Sequence, residues 1–180
     1  MPEPDFDFAT PLPSPVRSHI VGILVNNEPG VLTRISALFM KRHFNIETLT
    51  VSPTTKHDVS RITLSFLGDD QRHEQVVKQL SKLIDVLKVF TIPENEALIR
   101  DLCLIKVRVA GEPGKKKTIE FLKAHGAAVA HENDQSIIGE MVGSPEQIDA
   151  FLKEARSLGI VEIGRTGLTA LATNPEGHEE

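Results

Sequence analysis

VNNEPGVLTRI (Val25–Ile35) joins an apolar run, SHIVGILV, to a stretch of helical periodicity. Upstream, His19–Val25 reads as a strand. Downstream, Val31–His43 reads as a helix: Leu32, Ile35 and Phe39 fall on one face, with Val31 and Leu38 flanking it. Between them a Pro and a Gly stand side by side, with no Lys, His, Ser or Cys before the helix begins. Working outward, Ile46–Pro53 and Ser60–Gly68 alternate as strands do. Asp70 is placed to cap a second helix, in which Val76, Val77, Leu80, Leu83 and Ile84 recur at helical spacing. Val86–Ile92 closes the unit as a strand, giving the order βαββαβ.

The same order runs a second time. LCLIKVRV is a strand, and GEPGKKK a turn into a helix through Ile119 and Leu122 that Gly126 stops. AAVAHEN and SIIGEMVG are two strands. Ser144, Pro145, Glu146 and Gln147 offer a capping box with Pro at the first helical position. Ile148, Phe151, Leu152, Ala155 and Leu158 line one face of the helix that follows, and IVEIGRTGLTAL closes the unit. Both first turns contain Glu-Pro-Gly, so Gly30 and Gly114 are expected to be equivalent. The fold class is therefore α+β, two tandem ferredoxin-like domains, each a four-stranded sheet with two helices on one face. The open sheet faces and edge strands favour side-by-side dimerisation.

The boundaries expected are a disordered tail over 1–17, a first domain over 18–95, a second over 96–172, and a second tail over 173–180. MPEPDFDFATPLPSPVR is Pro-rich and acidic, without the basic and apolar regions of a secretory signal. The net charge of -5 and the absence of Trp and Tyr leave no basic footprint or stacking platform for nucleic acid. No apolar run approaches the ~18 residues that span a bilayer. One cysteine, Cys103, cannot pair within the chain, which fits a reducing cytoplasm.

The opening turn has chemistry of its own. A helix N-terminus leaves unpaired N–H groups and a partial positive end. Gly30 lets a ligand approach the backbone closely, and Pro29 gives up an N–H that has no helical partner anyway. A phosphate site would add Lys or Arg or a longer glycine run, and none is present before Arg34. A single carboxylate is the better match, at roughly 1.5–3 kcal/mol per amide contact before ordering costs. Asn45 stands at the entry of the second strand, expected near the first loop. Asn27 and Asn45 then supply amide oxygens to an ammonium group, and the whole describes a free α-amino acid. The same residues also fit plain turn and capping roles. AGEPGKKK shows that the Pro-Gly doublet occurs where no ligand is expected.

Taken together, NNEPGVLTRISALF, FNIETLTVSPT, VSRITLSFLGD and QLSKLIDVLKV resemble the small, regulatory subunits of acetohydroxyacid (acetolactate) synthase. The resemblance runs in order from about Ser18 to Leu171 and identifies the first domain as an ACT domain, an amino-acid-sensing module. It implies a non-catalytic subunit with no catalytic, metal or cofactor residues of its own. The partner it implies is a large catalytic subunit using thiamine diphosphate, Mg and FAD in branched-chain amino-acid synthesis. The small subunit is expected to activate that partner and to confer feedback inhibition by valine, leucine or isoleucine, most typically valine. It also implies a homodimer through ACT domains, with effector bound where two of them meet. Asn27, Gly30, Val31, Leu32 and Asn45 match the effector-contacting positions. The amides at Gly30–Leu32 hold the carboxylate, and Asn45 the ammonium.

Other classes fit less well. Acylphosphatases share the topology but hold phosphate with an Arg in the first loop, and residues 26 to 30 contain none. The histidines at 19, 43, 57, 73, 125, 131 and 178 show no metal-site spacing, and surface or partial packing is expected for them. Cys103 sits in an apolar strand and reads as an inert core residue. No GxSxG, Walker or Rossmann pattern occurs. The remaining alternative is a stand-alone ACT sensor acting on another enzyme or on transcription.

Overall fold

The first strand, β1 (Arg17–Asn26), is apolar on both faces, as a central strand requires. In the computed structural model, which describes residues 15–174, it lies between two antiparallel neighbours. The other elements of the first unit are α1 (Val31–Lys41), β2 (Thr48–Pro53), β3 (Val59–Gly68), α2 (Asp70–Leu80) and β4 (Val86–Ile92), in sheet order β2-β3-β1-β4. The second unit has β5 (Ala97–Arg108), α3 (Gly111–Ala124), β6 (Ala128–Glu132), β7 (Ser136–Gly143), α4 (Pro145–Ala155), β8 (Ile160–Arg165) and β9 (Thr169–Ala172). Its order, β6-β7-β5-β8, repeats that of the first. The α+β reading and the internal repeat hold. Arg17, expected in the tail, opens β1 and pairs with Asp70 at 2.6 Å. The remainder of the tails expected at 1–14 and 175–180 lies outside the described residues.

Helix boundaries follow local chemistry, and several differ from expectation. On α1 the buried stripe is Val31, Ile35 and Phe39, in steps of four. Leu32, expected on that face, is turned about 100° away and is 41% exposed. The helix stops two residues early in a Schellman turn: Phe44 N donates to Phe39 O at 3.0 Å and His43 N to Met40 O at 3.1 Å. The Phe39 and Phe44 rings meet edge-on across it. His43 takes the left-handed φ of 56° that such a turn demands. The cap of α2 is Asp69, which accepts from Arg72 N at 2.7 Å, and Asp70 is the first helical residue. That helix ends at Leu80, so Ile84 escapes its apolar face and is 89% exposed. The capping box on α4 forms as expected, with Gln147 Oε1 accepting from Ser144 N at 2.8 Å.

The two Glu-Pro-Gly turns are not equivalent. Gly30 precedes α1 as its cap with φ 89°, whereas Gly114 lies inside the first turn of α3, which begins at Gly111 with φ 66°. Pro113 fits that first turn because its missing N–H has no partner there. The closing run IVEIGRTGLTAL is two strands, not one. It follows β5 throughout, pairing first as β8 with 103–107 and then as β9 with 97–100. Between them it kinks at Thr166–Leu168, where Gly167 has φ 79°.

Three cores result. Helices α1 and α2 close one face of the first sheet over Val21, Ile23, Val25, Ile62, Leu64 and Phe66. In the second unit Cys103, Ile105, Leu122, Ile137, Ile148 and Phe151 fill the helix-covered side, which bears out the buried reading of Cys103. The third core joins the units. Ile20, Leu24, Val59, Phe90 and Ile92 on the open face of the first sheet pack against Leu168 and Ala170, with Ala97 and Ile99 partly buried beside them. The face expected to invite a partner is thus covered within the chain by the β5–β9 ribbon. Gly22 makes room for the Phe90 ring there: a Cβ at 22 would lie 2.1 Å from it.

His19, expected at the surface or partly packed, is 5% exposed and bonds the Gly68 carbonyl at 3.0 Å. It stacks on His73 of α2, with centroids 4.6 Å apart. Burial, then the charge of His19 and of Arg17, holds the His73 pKa below its ordinary value, while Asp70 and Glu74 oppose this. The folded chain resists protonation that the unfolded chain accepts near pH ~6.5. The stability from this group is therefore present above that pH and falls as the pH drops through it. His125, raised by its bond to the Phe121 carbonyl and by Glu154, contributes the opposite slope, so a comparison with a variant is required. We expect the unfolding midpoint of wild type to fall more steeply between pH 7.5 and 5.5 than that of His73→Gln; parallel curves would count against it. Replacing His43 with Gly should stabilise the chain by about 1 kcal/mol. That gain raises the thermal midpoint by roughly 2–4 °C; an unchanged or lower midpoint would show that the turn is unstrained.

Candidate effector site

The turn at Asn26–Gly30 is fixed by backbone contacts from two other loops. Asn26 N donates to Asp85 O at 2.9 Å, and Asn27 N to Asp58 O at 2.8 Å. Glu28 N folds back onto Asn26 O at 2.9 Å. The chain then enters α1 through the left-handed Gly30, with no side-chain cap. Val31 N reaches Glu28 O only at 3.5 Å, and among the described residues no acceptor is paired with the amides of Gly30 or Leu32. These are the orphan donors of a helix start, exposed at the positive end of its dipole. Asn27, Glu28, Pro29 and Gly30 are all exposed, and Leu32 beside them presents its side chain outward while Val31 is buried.

A cation does stand at this turn, one helical turn inside the sequence window where none was found. Side chains on a helix lean toward its N-terminus. The Arg34 guanidinium accordingly comes back beside Gly30, with Nη1 3.8 Å from where a Cβ on that glycine would sit. Its Nε donates to Asp85 Oδ2 at 2.6 Å, and that carboxylate is buried. Asp85 thus grips both ends of the turn, Asn26 by its carbonyl and Arg34 by its side chain. The i+4 spacing of Arg34 from Gly30 was the available signal; the distant Asp85 had none.

Asn45 is not brought to this turn within one chain. Asn26 pairs with Val59 of β3, while Thr48 pairs with Ser65. Six strand positions at ~3.3 Å each put Asn27 and Asn45 roughly 20 Å or more apart, at opposite ends of the sheet. The expectation of nearby ends fails because β1 and β2 both run antiparallel to β3 and so run parallel to each other. The end of β1 therefore meets the end of β2, not its start. Asn45 is exposed and lines a cavity of about 980 Å³ between the two units, whose lining also includes Ser144 and Glu146 at the α4 start. Asn27, Gly30, Val31 and Leu32 share the turn, and Asn45 stands apart from them. Among the described residues no three His, Cys, Asp or Glu side chains gather as metal ligands. No helix among them is long and apolar enough to cross a membrane.

Comparison with known proteins places this architecture. Residues 21–88 match the family described as AHAS small subunit-like ACT domain, and residues 100–174 match the small subunit of acetolactate synthase. A Mycolicibacterium smegmatis acetolactate synthase small subunit is 38% identical over 160 residues, 89% of this chain and 94% of that one. The chain belongs to the acetolactate synthase small-subunit family. A probable acetolactate synthase small subunit of Archaeoglobus fulgidus is 41% identical over 153 residues, 85% of this chain and 95% of that protein. The crystal structure of the acetolactate synthase small subunit from Thermotoga maritima superposes with a TM-score of 0.81 at 32% identity, covering 87% of this chain and 97% of that one. These relatives are small subunits, and this family member is accordingly a non-catalytic subunit whose first unit is an ACT domain.

The Asp85 grip has a measurable weight. Asp85→Ala should cost about 1–2 kcal/mol in denaturant unfolding, the lower end for charge-assisted bonds because Arg34 is half exposed. Arg34→Ala combined with Asp85→Ala should cost little more than Asp85→Ala alone; strictly additive losses would show that the two side chains do not act together.

Proposed function

We propose that this chain is the regulatory subunit of an acetolactate synthase, activating its thiamine-diphosphate-dependent catalytic subunit and conferring feedback inhibition by a branched-chain amino acid, valine first. Thiamine diphosphate, Mg and FAD belong to that partner in this reading. Family membership across both units supports the role, and the bare amides at the start of α1 support the effector. They suit a carboxylate, and Arg34 adds a positive charge beside them. The match of the second unit to the same family disfavours a stand-alone sensor.

The separation of Asn27 and Asn45 gives this reading its geometry. β2 is an edge strand of the first sheet. Two copies that pair their β2 edges antiparallel about a two-fold axis bring the head of one strand to the tail of the other. The tail of β2 adjoins the turn, since Pro53 pairs with Ser60 and Thr54 N donates to Val59 O beside Asn26. Asn45 of one protomer then approaches Asn27 and Gly30 of the other, and each effector is held by both. Its carboxylate takes the Gly30–Leu32 amides of one chain, and its ammonium the Asn45 carbonyl oxygen of the other. The apolar side chain rests at the contact near Leu32. A ligand that bridges two chains shifts the dimer toward the geometry it fits, by no more than its differential affinity for the two states. Such couplings run to ~1–3 kcal/mol, enough to withdraw activation from the catalytic subunit.

Reconstitution with the cognate catalytic subunit tests the role: acetolactate formation should rise on adding the chain and fall again with valine. Asn27→Ala and Asn45→Ala should each raise the valine Kd at least tenfold by calorimetry, with activation retained. Gly30→Val should do the same. Mixing the two Asn variants should restore binding to a fraction of the dimers, because a mixed pair contains one intact site. Mixtures that bind no better than either variant would mean that both residues act within one chain.

A further inference from the structure

The kink in the closing strand of the second unit lands on the first unit, and on β2. Thr50 Oγ1 donates to the Thr166 carbonyl at 3.3 Å. A Cβ on Gly167 would lie 3.3 Å from Thr48 Cβ, 3.5 Å from Thr50 Oγ1 and 3.7 Å from Leu49 N. Thr48 lies opposite Ser65, which lies opposite Ile20 on the open face of the sheet, so the kink sits over that face, and no strand pairs with the outer edge of β2 among the described residues. Behind the kink everything is anchored. Asp101, 3% exposed, accepts from Arg165 Nε at 2.7 Å and lies 3.2 Å from the Thr166 hydroxyl. That hydroxyl also accepts from Leu102 N at 3.2 Å. Arg165 Nη1 reaches Asp149 of α4 at 2.7 Å. At the end of the kink Leu168 enters the shared core, followed by Ala170, and Arg61 Nη2 donates to the Ala170 carbonyl at 2.9 Å. Beside this contact the units draw apart, leaving the cavity lined by Asn45–Leu49 on one wall and by residues of Ser144–Asp149 on the other.

We propose that the segment Arg165–Leu168 is a positioning clamp, by which the second unit sets the placement of β2 and of Asn45 at its head. The role of Asn45 in this statement rests on the effector reading above; the mechanical part does not. The buried carboxylate of Asp101 fixes the clamp to β5, and the arginine ties it to α4. Gly167 has the left-handed backbone and the missing side chain that let it lie against Thr48. Movement of α4 or of the second sheet is therefore delivered to β2, and the effector's hold on Asn45 is delivered back. Thr166 and Gly167 touch no effector themselves and act through the strand they hold.

Hydrogen exchange on the full-length protein measures this directly. Thr50→Val removes the donor to Thr166 and keeps the β-branched shape, and Gly167→Ala adds the methyl that must push on Thr48. Each should speed exchange of the β2 amides about tenfold or more, with the amides that pair β1 with β3 unchanged. In the same variants the valine Kd should rise severalfold. Unchanged exchange in β2, or a uniform rise across the first sheet, would overturn the clamp. Faster exchange in β2 with an unaltered valine Kd would overturn its link to the effector. A wild-type chain that binds no branched-chain amino acid would sink the effector reading alone, and exchange would still judge the clamp. Should Gly167→Ala fail to fold, Thr50→Val, which demands no backbone change, decides.

Discussion

Burial of β1 on both faces is the constraint that the rest of the molecule satisfies. A strand carrying Val21, Ile23 and Val25 on one side and Ile20 and Leu24 on the other needs two covers. Helices α1 and α2 supply the first, as the repeat of the unit allows. The second comes from the other unit, through a ribbon made of the start of β5 and the end of the chain. Each large aliphatic side chain moved from water into that seam is worth about 1.5–3 kcal/mol. The ion pair of Arg17 with Asp70 lies within the first unit, and that of Arg165 with Asp101 within the second. Apolar burial, more than charge, therefore joins the two units, and the polar contacts at Thr50 and Arg61 fix register within it.

The same arrangement divides the labour of the sheet. One face carries helices, the opposite face carries the ribbon, and the β2 edge stays open. A turn with unpaired amides at one end of the sheet and Asn45 at the other cannot form one site in one chain. It can form two in a symmetric pair, each using one end of each protomer. Under the proposed pairing of β2 edges, this separation is what would tie ligand binding to how two subunits sit together.

The sequence showed the repeat plainly, because apolar periodicity switches between two and 3.6 at every boundary and the α4 capping box announces itself. Its errors came where one residue of register carries the meaning. Asp69 and Asp70 are both able to cap, and only the geometry of the preceding turn selects the first. Leu32 and Val31 are both apolar, and the stripe through Ile35 and Phe39 chooses Val31. The Glu-Pro-Gly repeat suggested matching turns, yet the helix swallows one of them. In the site, the turn and its bare amides were legible, since Pro and Gly punctuate it. Arg34 was missed because it lies inside the helix, and Asp85 because tertiary folding alone brings it there. The placement of Asn45 failed on strand direction, which local sequence does not encode.

The seam between the units also has a consequence for how the chain is made. Ile20 leaves the ribosome well before its neighbours in the shared core, Leu168 and Ala170, which follow some 148 residues after it, counting from 20 to 168. At ~5–20 residues per second, the oily underside of the first sheet waits roughly 7–30 seconds for its lid. Until then Ile20, Leu24, Phe90 and Ile92 lack the cover that Leu168 and Ala170 give them in the folded chain.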